Sequence, residues 1–225
     1  MKQDEKILTG GLVHKLGLDK LDVITSDMIE GYTSIGGDAF KFCTSLTSIA
    51  LPNSITSIGE YAFWRCTNIS SVFLGNSITS IGYGVFIDCT SFSSISIPNS
   101  VTKIERHAFD GCNKLKNVVI GDKTYEVQEV INGKCKAYKA FNANLTCRRF
   151  QYEEGKTYEY DGEPILCEQG FHACLRLIDV FKYYCGEIGK DFVVHEVELE
   201  GVSDERNEDD SKVVAKKITI GKRIL

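Results

Sequence analysis

The chain has 225 residues, a formal net charge of −5 and 43% hydrophobic residues, which fits one large or two modest globular domains. The acidic balance argues against a bulk nucleic-acid or anionic-membrane binder, and no segment reaches the ~18 apolar residues of a membrane-spanning helix. Asp4 and Glu5 stand where a signal peptide needs basic charge, so we expect a cytoplasmic protein made without a secretion signal.

Residues 1–32 are predicted to form an N-terminal cap, because they carry a degenerate version of a unit that becomes regular from Thr33 onwards. Leu12, Val23, Met28 and Tyr32 partly echo the apolar positions of that unit. A degenerate terminal copy shields the open end of a stack of repeats from water and from strand pairing with other chains.

A 23-residue unit then recurs four times between Thr33 and Gly121, with its apolar positions in register. A repeat of this length is typical of a leucine-rich-repeat solenoid, in which each copy buries its apolar side against its neighbours. Six columns share the spacing: Ile35, Ile58, Ile81, Ile104; Phe40, Phe63, Phe86, Phe109; Cys43, Cys66, Cys89, Cys112; Leu46, Ile69, Phe92, Leu115; Ile49, Val72, Ile95, Val118; and Leu51, Leu74, Ile97, Ile120.

Within each copy we predict one helical turn followed by one short strand. Ala39, Phe40 and Cys43 have the spacing of one face of a helical turn, while Ile49 and Leu51 share one face of a strand. The strand residues between them then point outward and form the candidate binding surface. These residues are Ser48, Ala50, Ser71, Phe73, Ser94, Ser96, Asn117 and Val119.

The pattern I-G-x-x-A-F-x-x-C-x-x-L-x-x-I-x-[IL]-P-N-S-[IV]-T resembles the leucine-rich repeats of the BspA-like family of bacterial and protist surface proteins. The resemblance covers residues 33–124. It implies a solenoid that binds a protein or glycan partner through its surface, and four copies make a small platform of modest affinity. We expect a monomer that binds no nucleic acid and no membrane.

The nine cysteines do not form a recognisable disulfide or zinc pattern. Four fill one repeat column, where they are best interpreted as small buried hydrophobic residues. The other five are Cys135, Cys147, Cys167, Cys174 and Cys185, and they contain no C-x-x-C pair and no matched Cys/His spacing. We therefore expect reduced thiols and no metal site.

The repeat pattern ends before Asn132-Gly133, and residues 134–225 are predicted to form a small mixed α+β domain. Its predicted strands cover residues 135–141, 149–158 with a turn at Gly155, 192–200 and 217–220. An amphipathic helix is expected over residues 177–185, and the acidic run 204–210 is expected to be a solvated loop.

Two resemblances concern this domain. The phrases Ala137–Asn142, Cys147–Tyr152, Cys167–Cys174 and Asp210–Ala215 are similar to an uncharacterised domain common in bacteriophage and prophage proteins, with no established activity. In addition, Gly170–Ala173, Tyr183–Cys185 and Val194–Gly201 resemble, in order and spacing, a stretch of ADP-ribosyltransferases.

The second resemblance implies candidate catalytic residues His172, Tyr183, Tyr184, Glu196 and Glu198, with Lys139 gripping the phosphates of NAD. Each has a simpler alternative. His172 could have a purely structural role as a hydrogen-bonded side chain, and His195 could be a packing residue. The glutamates could form a solvent-exposed sheet face, which could also bind a cation. Tyr183 and Tyr184 cannot both face the core, so one is available to a ligand.

Two functions therefore remain open. The first is a non-catalytic interaction module with no cofactor, which uses the repeat surface. The alternative is an NAD- or nucleotide-binding, ADP-ribosyltransferase-like enzyme domain that the repeats target. A cavity that contains His172 together with Tyr183 or Tyr184 would favour the alternative.

Overall fold

The computed structural model describes residues 6–165, 170–184, 186–203 and 211–225. The chain divides into two compact units, Met1–Tyr125 and Glu126–Leu225, which we call the repeat unit and the C-terminal unit.

The repeat unit consists of two parallel sheets, because each copy supplies two short strands instead of the one that the sequence predicts. β1, β3, β5, β7 and β9 pair in parallel in one sheet. β2, β4, β6, β8 and β10 pair in parallel in the other, and β11 pairs antiparallel with β10. The strands are β1 Ile7–Leu8, β2 Val23–Ile24, β3 Ser34–Ile35, β4 Ser48–Ala50, β5 Ser57–Ile58, β6 Ser71–Phe73, β7 Ser80–Ile81, β8 Ser94–Ile97, β9 Lys103–Ile104, β10 Asn117–Ile120 and β11 Lys123–Tyr125.

The predicted helical turn is wrong, because tight turns occupy that place in every copy. Two positions per copy have a left-handed backbone, such as Asp38 with φ 55° and Phe42 with φ 60° in the first, and an α-helix does not accommodate them. The N–H groups of Asp38, Phe40 and Phe42 donate instead to carbonyls of the next copy at 2.7–3.0 Å. Together with the two parallel sheets, these turns therefore form a third set of hydrogen bonds between successive copies of the solenoid.

The phenylalanine column forms the continuous buried row that the sequence predicts. The rings of Phe40, Phe63, Phe86 and Phe109 stack with centroids 5.2, 5.5 and 5.4 Å apart, and the angles between neighbouring ring planes are 2°, 9° and 22°. All four side chains are buried. The 23-residue register is thereby confirmed.

The cysteine column is buried too, as predicted, and it has a hydrogen-bonding role that the sequence did not indicate. The Sγ atoms of Cys66, Cys89 and Cys112 donate to the phenylalanine carbonyl of the preceding copy at 3.0–3.2 Å. Burial raises the pKa of Cys43 to about 11 and that of Cys66 to about 12. The seven described cysteines are not joined in disulfides, whereas Cys167 and Cys185 lie outside the described residues.

The cap stacks on the first copy through both sheets, since β1 pairs with β3 and β2 with β4. A short helix, α1 (Gly10–Lys15), replaces the tight turns, and two 3-10 helices follow at Leu18–Lys20 and Ser26–Ile29. The cap residues that the sequence predicts to follow the apolar columns do not lie at the buried positions of the cap. Val23 and Met28 are 43% and 47% exposed, while the side chains that enter the core are Leu8, Val13, Leu18, Ile24 and Ile29.

The C-terminal unit is mostly β in its described residues, so the α+β label fits it only in part. Its strands are β12 Lys134–Asn142, β13 Thr146–Cys147, β14 Phe150–Gln151, β15 Thr157–Glu159, β16 Phe171–Cys174, β17 Gly186–Glu187, β18 Phe192–Val202 and β19 Lys212–Arg223. The predicted helix is a 3-10 helix, Leu177–Lys182. Its β-branched and aromatic residues disfavour a longer α-helix.

The four longer strands of this unit form a closed ring of antiparallel pairings. β12 pairs with β18 over its whole length, β18 with β19, β19 with β16, and β16 with β12. The ring encloses an apolar core, and its buried residues include Ala137, Phe141, Val197, Leu199, Val213 and Ile218. The predictions of β12 and β18 are confirmed. β19 begins at Lys212, earlier than predicted, and the acidic run 204–210 lies outside the described residues.

Replacing Phe86 with alanine should lower the free energy of unfolding by about 3–5 kcal/mol, because the ring is fully buried and stacks on Phe63 and Phe109. Urea unfolding followed by circular dichroism measures this change. The matched control is Phe73→Ala, which removes a ring that is 62% exposed and should cost about 0.5 kcal/mol or less. Equal stability of the Phe86→Ala variant and the parent would contradict the register.

Candidate functional site

The predicted binding residues of the repeats lie together on the outer face of one sheet. Ser48 pairs with Ser71, and Ala50 pairs with Phe73, which in turn pairs with Ser96. The remaining positions continue this face on β8 and β10, and all eight side chains are exposed or half-buried. Most of these side chains are small, and Phe73 stands out at 62% exposure.

The turns carry a second surface that sequence reasoning missed, a row of five rings that we call the aromatic row. Phe42, Trp64, Tyr61, Tyr83 and His107 follow one another with centroids 5.2–5.6 Å apart. Lys41 Nζ lies 4.4 Å from the Trp64 centroid. Successive members are not spaced by 23 residues, so a comparison of columns does not find them.

The C-terminal unit contains a cavity of about 470 Å³, and most of the residues that the enzyme hypothesis selected line it. His172, Tyr183, Tyr184 and Lys139 meet there, whereas Glu196 and Glu198 do not reach it. The two glutamates lie exposed on β18. The lining residues, all in the described part of the chain, include no aspartate or glutamate.

β12 and β16 position the first part of the site. They pair at Tyr138 and Cys174, and beyond that pair residues of both strands line the cavity. There the Nζ atom of Lys139 donates to the carbonyl oxygen of His172 at 2.7 Å and lies 5.5 Å from the Phe141 ring. Lys139 is therefore a buried bridge between strands rather than a cation at the rim, and burial lowers its pKa.

His172 is a second base in the cavity whose pKa is lowered. Burial first, and then the charges of Lys212 and Lys139, lower its pKa to about 4, against a small opposing contribution from a hydrogen bond to the Ile165 backbone. The imidazole is therefore neutral at pH 7. Its Nε2 atom is buried without a hydrogen-bond partner among the described residues, which is unusual for a polar atom in a folded protein.

Both tyrosines line the cavity, and Tyr184 is the more buried of the two. The hydroxyl of Tyr184 lies 3.3 Å from the Sγ atom of Cys147, and burial raises the pKa of Tyr184. Tyr183 is 40% exposed, with Lys212 Nζ 4.4 Å from its ring centroid. Tyr183 is thus the ring that a ligand can reach.

His195 is buried, and its Nδ1 atom lies 2.9 Å from the carbonyl oxygen of Gly221, as befits a packing residue. In the described residues no three or more His, Cys, Asp or Glu side chains come together in a way that could hold a metal ion. Within the same ranges, no helix has the length and apolar character needed to span a bilayer.

Residues 20–139 match the family described as "BspA type Leucine rich repeat region (6 copies)", which is more than half of the chain. The chain therefore belongs to the BspA-type leucine-rich-repeat family, whose repeats imply a surface module for interactions with other molecules. Residues 135–225 match a "Domain of unknown function (DUF7666)". No curated protein matched the chain.

Two solved structures illustrate what the repeats are similar to. A leucine-rich cell surface protein from Faecalibacterium prausnitzii is 33% identical over 43% of this chain and 25% of its own, with a TM-score of 0.41. A leucine-rich-repeat protein from Bacteroides capillosus is 34% identical over 40% of this chain and 63% of its own, with a TM-score of 0.37. The chain spans less than two thirds of either protein.

The His172 imidazole should titrate far below the usual value near 6.5. Between about pH 6.5 and pH 4, the unfolded chain binds a proton at His172 that the native chain does not. The free energy of unfolding should therefore fall as the pH is lowered through this range. NMR titration of the ring protons measures the native pKa. Lys212→Met should raise it, because that lysine's charge opposes protonation.

The matched control is Lys216→Met, which removes an exposed lysine that pairs with Glu163 and does not line the cavity. It should leave the His172 titration where it was. A native His172 that titrates near 6.5 would overturn this account of its surroundings.

Proposed function

We propose that the protein is a non-catalytic interaction module, in which the outer face of β4, β6, β8 and β10 binds a protein or a glycan. The observation that carries this proposal is the in-register alignment of small side chains around the exposed ring of Phe73. Small neighbours let a partner approach the backbone closely, and an exposed aromatic side chain supplies the kind of anchor that dominates binding energy.

Serine hydroxyls give the same face its polar contacts. Ser71 Oγ donates to Ser48 Oγ at 3.1 Å, and Ser94 and Ser96 are exposed on the neighbouring strand. Such a surface offers both hydrogen-bonding groups and apolar contact, which suits either a peptide or a sugar. A platform of four copies is small, so we expect a single contact to be weak and a multivalent partner to bind better.

Photo-crosslinking tests which face is used. Benzoylphenylalanine placed at position 73 should capture a partner, whereas the same probe at Phe42, a ring of the aromatic row that is 49% exposed, should not. Once the partner is purified, or a glycan is found on an array, Phe73→Ser should weaken its binding about 30-fold, as for an interfacial hot spot. Capture through position 42 alone, or unchanged binding by Phe73→Ser, would refute the proposed face.

One observation favours a second activity, in the C-terminal unit. His172, Tyr183 and Tyr184 line one cavity, and its volume of about 470 Å³ lies in the range of small-molecule sites. We propose that this cavity binds NAD or another nucleotide. Because Glu196 and Glu198 lie elsewhere and the described lining holds no carboxylate, the proposal concerns binding and not transfer chemistry.

Calorimetric titration of the full chain with NAD tests this second activity. We expect heat of binding that His172→Ala abolishes while circular dichroism stays unchanged, because the imidazole lines the cavity. His14→Ala is the matched control, since the His14 side chain is 76% exposed in the repeat unit. No heat at millimolar NAD would remove NAD as the ligand.

A further inference from the structure

The cavity carries several cationic side chains, and they differ in what they can do for a ligand. Lys139 is buried, with its ammonium group on the His172 carbonyl. Lys212 lies over the Tyr183 ring. Arg148 is exposed on the loop between β13 and β14, and its guanidinium group has five donors in a planar fork. Arg148 is therefore the group best placed to grip an anion that enters from solvent.

The three cations act together on the interior of the site. The charges of Lys212, Lys139 and Arg148, in that order, each lower the pKa of His172, and all three residues line the cavity with it. A cavity of this kind, with no carboxylate among its described lining residues, favours an anion. A doubly charged phosphate interacts with such a field more strongly than a singly charged carboxylate does.

Exposed rings stand beside these charges. Phe150 is 47% exposed and lies edge-on to Tyr152 and Tyr158, with ring centroids 4.7 and 5.4 Å away. Tyr183, 40% exposed, also lines the cavity. Aromatic side chains whose orientation is fixed by neighbours form stacking platforms for flat heterocycles, and stacking of one base contributes about 1–3 kcal/mol.

The third feature is the unsatisfied Nε2 atom of His172. It is buried, the imidazole is held by the Ile165 backbone, and the ring lines the cavity. That atom is closed to solvent, so a ligand in the cavity would meet the imidazole without reaching Nε2. The site thus has exposed rings for a flat heterocycle, a neutral imidazole beside them and a cationic opening.

We infer that the cavity of the C-terminal unit binds a mononucleotide, with its base against Tyr183 and Phe150 and its phosphate at Arg148. This inference rests on the proposed nucleotide site and assigns its specificity. Lys139 acts as a positioning residue, because its hydrogen bond to the His172 carbonyl spans β12 and β16. The volume of about 470 Å³ lies in the lower half of the range for small-molecule sites.

Isothermal titration of the full chain with adenosine 5′-monophosphate, adenosine and inorganic phosphate tests the inference. The monophosphate should bind at least about 10-fold more tightly than adenosine, as expected for a charge-assisted contact to phosphate. Arg148→Gln should remove that difference and leave the affinity for adenosine unchanged. Arg149→Gln is the matched control, since Arg149 is the exposed neighbour that does not line the cavity, and it should change affinity less than about 2-fold.

The possible outcomes distinguish a failure of the proposed nucleotide site from a failure of its phosphate specificity. No heat with either nucleoside compound would refute both the nucleotide site and its specificity. Equal binding of adenosine and its monophosphate, unaffected by Arg148→Gln, would keep a nucleoside site and refute the phosphate grip. Equal losses in Arg148→Gln and Arg149→Gln, or comparable binding of inorganic phosphate alone, would reduce the effect to surface charge and refute the inference.

Discussion

The repeat unit depends on the hydrogen bonds that join each copy to the next. Parallel strands lie about 4.8 Å apart, so every copy must present the same side chain at the same height. Stacked phenylalanine rings with centroids 5.2–5.5 Å apart satisfy this spacing. Hydroxyls follow the same rule, since Thr56 Oγ1 donates to the Thr33 carbonyl and Thr79 Oγ1 to that of Thr56. Two close approaches require glycine, because a Cβ atom on Gly59 or Gly82 would lie 2.6–2.7 Å from backbone of the preceding copy.

The same constraint explains how the turns tolerate large residues in a left-handed backbone. Phe42, Tyr61 and Arg65 have φ of 56–60°, where glycine is the usual residue and other residues cost roughly 1–2 kcal/mol. The corresponding positions of later copies include Gly84 and Gly111. Hydrogen bonds to the next copy hold the turn whichever side chain it carries, as from the Phe42 N–H to the Trp64 carbonyl and from the Arg65 N–H to the Ile87 carbonyl. In the first two copies this freedom places two of the aromatic row's rings at strained positions.

The predictability of the fold follows from these facts. The apolar columns were visible because stacking forces them to repeat, and long strands such as β12 and β18 were visible because alternation extends over many residues. The second strand of each copy is not predictable from the sequence, since a strand of two residues such as Ser34–Ile35 is too short to show an alternation of apolar and polar residues. The sequence predicts a helical turn at this place because Ala39, Phe40 and Cys43 are buried in either geometry. A phenylalanine at position 42 gives no sign of a positive φ.

The cavity could be predicted from the sequence only in part. Sequence order grouped His172 with Tyr183 and Tyr184, which are close along the chain, but the place of Lys139 depends on which strands pair. The Nζ atom of Lys139 donates to the carbonyl oxygen of His172 at 2.7 Å, in the part of the ring of strands that lines the cavity. This side-chain hydrogen bond joins β12 to β16 beside their paired residues Tyr138 and Cys174, so it helps to fix two of the strands that line the cavity.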